Sequence, residues 1–355
     1  MRLAHLHIPH LIPYTHSLRL QNALVERQFA YKDWLRGTDK KEDDGTHTQT
    51  QTQLQTPFGA AQLNHNDHSN PNPTPPPPPD PTLLTFSTFP TYTVGRRHLL
   101  TNPISAAQQA FLTSHERATF HASPRGGLLT YHAPGQLTAY IIADLRRHGI
   151  TARCWVRLLE DSVIRTCAAW GVDTQRTDDP GVWIKKRLDN RETSTSGLGE
   201  SEGSDRKICA IGVQVSRGIT SHGIGLNVFD APLPSNPVYD FSPDQTRSKS
   251  YDPVTRGYLS WGFSRIVACG LEGKSVTWLT RELGELPKSR ACKDQDGTTH
   301  GLSPTNQHPE NEISLESVAS VFARELCYGL NAMRGQGKET VDDIYKIQEV
   351  DVLGL

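Results

Sequence analysis

Residues 125–136 read Arg-Gly-Gly-Leu-Leu-Thr-Tyr-His-Ala-Pro-Gly-Gln. Glycine tolerates positive φ and lets backbone N–H groups approach a ligand, so Gly126-Gly127 suits a tight turn that also binds something. Leu128 to Tyr131 then form a short strand with His132 at its exit. Ala133-Pro134-Gly135 turn the chain again, and Gln136 opens a second apolar run to Leu145. Glycine turns before paired strands are common. An Arg, a His and a Gln gathered at the strand ends are less so, and they point to a site.

Upstream, residues 3–12 alternate loosely as a first strand, and Leu18 to Trp34 carry Leu20, Leu24 and Tyr31 or Phe29 on one helical face. Leu83 to Phe86 and Tyr92 to Gly95 read as further strands. Downstream, Trp155, Leu159, Val163, Cys167 and Trp170 recur at helical spacing within Arg153–Trp170, with Gly171 as the stop. That spacing makes Cys167 a core residue. Gly181 to Ile184 is a short strand. Lys207 to Ser216 alternates Ile211, Val213 and Val215 with Gly212, Gln214 and Ser216; Arg217-Gly218 turns it into Ile219–Val228, a hairpin. A last helix spans about Ser314 to Met333. Three segments, 37–82, 186–206 and 287–312, are polar and low in apolar residues, the first ending in Pro75 to Pro79. They hold too little apolar surface to offset ordering entropy and are expected to be disordered insertions in a single domain, 1–355.

Of the 355 residues 35% are hydrophobic, and 37 Lys and Arg face 38 Asp and Glu. The balance leaves no basic field for nucleic acid. No apolar run reaches the ~18 residues of a membrane span. The six cysteines form no C-x-x-C pair, which argues against a zinc ribbon or thioredoxin-type site and fits a reducing compartment. His5, His7 and His10 read as scattered surface histidines rather than a metal set. The first 25 residues lack acidic groups, as an organellar presequence would, but they run straight into the first helix, which leaves little chain for a removable signal.

The central stretch resembles the signature of the lipoyl(octanoyl) transferase family, R-G-G-x-x-T-Y/F-H-G-P-G-Q, with Ala133 its one departure. Other matches stand in the family's order: Y-T-x-G-R-R at Tyr92–Arg97, K-I-x-A-I-G-V at Lys207–Val213, S/T-x-H-G-x-x-L-N-V around His222 with one residue fewer before it, and a Cys-Gly at Cys269-Gly270. The resemblance is to a fungal-like form interrupted by low-complexity insertions. It implies an α+β fold, a mixed β-sheet with packed helices of the lipoate/biotin protein ligase kind. It also implies transfer of an octanoyl group from octanoyl-acyl carrier protein to a lysine of lipoyl domains, those of 2-oxoacid dehydrogenase complexes and the glycine cleavage H protein. It implies no cofactor, no metal, and a mitochondrial location. Carried over position by position, Cys269 is the acyl-thioester nucleophile and Lys207 the group that activates it. Arg125, Gly126, Gly127, Leu128, Leu129, Thr130, Tyr131, His132, Ala210, Ile211, Gly212, Gly223, Ile224 and Gly225 line the acyl site. Departures accompany the match: Ala268 stands for the usual Pro before Cys269, and Trp278 for a usual Ser, where its ring is expected to enter or shorten the acyl pocket.

The chemistry is consistent with those residue types. An acyl thioester is already activated, a thiolate exchanges with it readily, and an amine then makes the more stable amide. A nearby ammonium favours the thiolate, and the same lysine, once neutral, can take the amine's proton. Taken singly, Cys269 reads as a buried thiol, Lys207 as a solvated strand residue, and His132 and His222 as core histidines. Two alternatives stay open at this level: an ATP-dependent lipoate or biotin ligase on the same fold, which would not need Cys269, and a non-catalytic paralogue that holds lipoyl domains.

Overall fold

The computed structural model describes residues 1–43, 76–114, 116–184, 205–235, 239–267, 272–284 and 313–354. The chain forms β1 (Arg2–Ile12), α1 (Tyr14–Asp43), β2 (Thr82–Thr88), β3 (Thr91–Gly95), α2 (Arg96–Thr101) and α3 (Ala106–Thr113). Next come β4 (Thr119–Ser123), β5 (Thr130–His132), β6 (Gln136–Ile142), α4 (Leu145–His148), α5 (Ala152–Ala168), β7 (Thr174–Gln175) and β8 (Val182–Ile184). The hairpin β9 (Arg206–Ser216) and β10 (Ile219–Asn227) follows, then α6 (Pro243–Thr246), α7 (Tyr258–Phe263), β11 (Ser275–Val276) and α8 (Leu279–Gly284). The chain closes with α9 (Leu315–Met333), β12 (Asp343–Lys346) and α10 (Glu349–Leu353).

Nine strands among the described residues make one sheet in the order β12-β1-β2-β6-β10-β9-β8-β7, with β11 beside β9. β1 lies parallel to β12 and β2, whereas β2-β6-β10-β9-β8 are antiparallel. The sheet is mixed and helices pack on it, so the α+β class expected from the sequence holds. A smaller sheet, β4-β3-β5, carries the central stretch. By contacts the chain divides into two units, Met1–Val25 with Asp80–Leu355, and Glu26–Pro79. The expected insertions fall mostly outside the described residues. At their described ends, α1 continues past Gly37 to Asp43 and β9 begins at Arg206.

The central strands are buried along their whole length, and the pleat sorts their side chains between two faces. One face presents Leu83, Leu137, Ala139, Ile141, Ile224, Leu226 and Cys209 to a core shared with α5 and α9. Thr151 caps α5 by accepting from the Cys154 N–H, and Ser314 caps α9 in a capping box with Ser317. The two helices bring Trp155, Leu158, Val163, Phe322 and Leu326 into that core, and Arg165 pairs with Glu325 across them at 2.6 Å.

On the opposite face, β9 and β10 contribute small residues, Ala210, Gly212, Gly223 and Gly225. Register places Gly223 between Tyr140 and Gly212, and Gly225 between Thr138 and Ala210. β9 and β10 therefore present a floor almost without side chains, with Tyr140 of β6 beside it. A second cluster, Tyr92, Tyr131, Trp261, Phe263, Trp278 and Leu112 among its members, packs around the small sheet and α7.

Candidate active site

The small-residue floor bounds a cavity of about 300 Å³. Arg125, Gly127, Leu128, Thr130 and His132 line it from the central stretch, Lys207, Ala210, Ile211 and Gly212 from β9, and Gly223, Ile224 and Gly225 from β10. Tyr140, Asp179 and Pro180 complete the lining. Of the residues expected at an acyl site, Gly126, Leu129 and Tyr131 stand apart. Tyr131 is fully buried in the second cluster and Leu129 packs against it, while the Gly126 N–H donates to the Val213 carbonyl at 3.1 Å.

Arg125 holds that turn together. Its Nη1 donates to the Gly126 carbonyl at 2.9 Å, and its Nη2 to the Thr93 carbonyl at 2.8 Å and hydroxyl at 2.7 Å, with Leu128 also in reach at 3.3 Å. A guanidinium presents five donors in a fixed fork, so one side chain staples the turn to β3. Ala133 lies outside the left-handed region, which Gly135 occupies in the same turn (φ 90°). Alanine in place of the family glycine is therefore unstrained there.

Lys207 reaches the cavity from the start of β9 and is buried. Its Nζ donates to the Pro180 carbonyl at 3.0 Å and sits 4.5 Å from the centre of the Trp183 ring. Lys274 lies 4.6 Å from the same ring and pairs with Asp179 at 2.5 Å. Cys269 lies outside the described residues. Among the described cysteines, burial pushes the Cys167 and Cys327 thiols up to about 12 and raises Cys209 well above its usual value, so these three are poor nucleophiles.

His132 is held by a buried relay. Its Nδ1 is 2.7 Å from Gln136 Oε1, Gln136 Nε2 donates to the Tyr131 carbonyl at 3.2 Å and to Asn227 Oδ1 at 2.9 Å, and Asn227 Nδ2 donates to the Thr277 carbonyl at 2.9 Å. His222 is also buried; its backbone N–H donates to Gln21 Oε1 at 2.6 Å. Burial, then the Arg125 charge, lowers His132 to about 4 and His222 to about 3. Both are neutral in the fold. In the unfolded chain they protonate near 6.5, so their contribution to stability is complete above 6.5 and is lost as pH falls through about 4 and then 3. Urea midpoints should therefore drop on acidification below 6.5, and His132→Phe should flatten that slope; an unaltered slope would mean that His132 is not held neutral.

Sequence reasoning missed Tyr140, Asp179 and Pro180. Asp179-Pro180-Gly181 is a turn signal, but nothing in the sequence places it beside a lysine 27 positions away. Trp278 corrects an expectation: its ring is buried in the second cluster and is not part of the cavity lining, so it does not shorten the pocket. Tyr140 is the bulky ring that does enter the lining.

The lipoyl protein ligase A/B catalytic domain matches residues 71–257, which carry the cavity-lining segments from Arg125 to Gly225. The chain belongs to that family. An octanoyltransferase of Chloroflexus aggregans is 34% identical over 220 residues, 60% of this chain and 76% of its own. The human mitochondrial octanoyl-[acyl-carrier-protein]:protein N-octanoyltransferase is 36% identical over 197 residues, 55% of this chain and 63% of its own. The corresponding Danio rerio protein is 34% identical over 202 residues, 57% and 67% of the two chains. Membership with these relatives makes the chain an acyltransferase.

Proposed function

We propose that this chain transfers an octanoyl group from octanoyl-acyl carrier protein to a lysine of lipoyl domains, through a thioester on Cys269, inside mitochondria. The observation that carries the reading is the cavity: an apolar, nearly side-chain-free floor with one buried lysine at its edge suits an acyl chain whose carbonyl ends beside an amine. In the first half-reaction the Cys269 thiolate attacks the donor's thioester carbon, the carrier thiolate leaves, and Lys207 gives it a proton. In the second, the acceptor lysine's neutral amine attacks the Cys269 thioester. Lys207, now neutral, takes the amine's proton, and the Cys269 thiolate is released, which restores the starting pair. The acceptors are the lipoyl domains of 2-oxoacid dehydrogenase complexes and the glycine cleavage H protein.

Mixing the protein with octanoyl-acyl carrier protein and measuring intact mass tests this directly. One octanoyl adduct, removed by hydroxylamine and absent in Cys269→Ala, is expected. A protein that stays unmodified yet octanoylates a lipoyl domain when given octanoate and ATP would be a ligase instead.

Tyr140 lines the cavity beside its floor, its ring fixed edge-on against Phe86 at 5.0 Å and His222 at 5.1 Å. Each CH₂ buried contributes ~0.8 kcal/mol, so a six-carbon donor should lose about tenfold in kcat/KM against octanoyl. Tyr140→Ala should move the preference to longer donors, and Trp278→Phe should leave it in place. The reverse pattern in a donor-length series would put the end of the chain near Trp278.

A further inference from the structure

The relay behind His132 decides which of its nitrogens carries the proton. Gln136 Nε2 faces two acceptors, and one of them, the Tyr131 carbonyl at 3.2 Å, can only accept. The other, Asn227 Oδ1, is fixed because Asn227 Nδ2 donates to the Thr277 carbonyl at 2.9 Å. The amide orientations of both residues are thus anchored on backbone carbonyls. Gln136 Oε1 must then face His132 Nδ1, 2.7 Å away, and only a proton on Nδ1 makes that a hydrogen bond. The neutral ring keeps a bare lone pair on Nε2, at its opposite edge.

Nε2 has no protein partner among the described residues, and the ring lines the cavity that also holds Lys207. A nitrogen in this state cannot donate to an oxyanion. It can only accept a hydrogen bond. Of the groups that arrive at the thioester in the second half-reaction, the acceptor lysine's amine brings N–H bonds, whereas Lys207 Nζ donates to the Pro180 carbonyl. Resting on the octanoyl-transfer reading, we propose that His132 is a catalytic residue of the second half-reaction, its Nε2 accepting one N–H of the incoming lysine amine and so turning the amine lone pair toward the thioester carbon. The proton that the amine loses goes to Lys207, and His132 keeps its single proton on Nδ1 throughout. Burial and the Arg125 charge, which hold the ring neutral down to about 4, keep Nε2 bare at working pH. His132 acts here as a fixed acceptor rather than as a base.

The test separates the two half-reactions in the full-length protein. Wild type and His132→Phe are acylated with octanoyl-acyl carrier protein, followed by intact mass, and the isolated acyl-enzyme is then mixed with an apo lipoyl domain. His132→Phe should be acylated within about threefold of the wild-type rate and should transfer ~10- to 100-fold more slowly, the range of one lost oriented hydrogen bond. Equal slowing of both halves would make His132 a structural residue and overturn the role. A wild type that forms no acyl-enzyme overturns the octanoyl-transfer reading and this role with it, a separate result. If His132→Phe does not fold, ¹⁵N-histidine NMR of the wild type at neutral pH decides. Nδ1–H with bare Nε2 is expected, and an Nε2–H tautomer or an imidazolium overturns the proposal.

Discussion

Replacing Lys207 by alanine is expected to slow octanoyl transfer by ~10²- to 10⁴-fold, the usual range for a lost proton carrier at a reacting centre. The side chain is buried, its Nζ is fixed between the Pro180 carbonyl and the Trp183 face, and it borders the cavity. On the proposed mechanism, a charge held there would favour the Cys269 thiolate and would supply the proton that the donor's thiol takes on leaving. Lys207→Arg separates charge from proton transfer, because a guanidinium stays protonated at working pH. That variant should form the Cys269 thioester and then stall before the acceptor lysine. Single-turnover acylation and transfer, followed by intact mass, give both rates. Normal turnover by Lys207→Arg would remove Lys207 as a proton carrier, and full-rate transfer by Cys269→Ala would remove the covalent mechanism.

The second large effect is on folding. A Cβ added at Gly223 would lie 2.2 Å from the Ala139 carbonyl oxygen and 2.8 Å from Ile141 Cδ1. Both belong to β6, which pairs with β10 at the centre of the sheet. A backbone oxygen there has nowhere to move without parting the two strands, so Gly223→Ala should cost about 3 kcal/mol or more. Gly126→Ala is the control. Its added Cβ would meet nothing closer than the Val213 oxygen at 3.6 Å, and its φ is not in the left-handed region. Chemical denaturation should find Gly126→Ala near wild type. Two equally stable variants would mean that β6 and β10 separate more easily at this point than the pairing implies.

What the sequence determined by itself was local chemistry and its order along the chain. Alternation in Ile211–Ser216 placed β9 and its hairpin, helical spacing from Trp155 to Cys167 placed α5, and each follows from a period that neighbouring residues set. The resemblance in Arg125–Gln136 and Lys207–Val213 marked the segments that line the cavity. β12 and β11 were not legible, because each is short and acquires its partner from a distant strand: β12 pairs with β1, at the other end of the chain, and β11 with β9. Only the tertiary structure decided which face of β6 and β10 would be floor and which would be core. That choice depends on α5 and α9 covering one side, and a strand buried on both faces carries no polar alternation to announce it. It also decided that Tyr131 and Trp278 would pack away from the cavity and that Tyr140 would line it. The state of His132 was settled in the same way. Its tautomer depends on the carbonyls of Tyr131 and Thr277, reached through two amides, and a backbone carbonyl's position is a property of the folded chain rather than of any residue type.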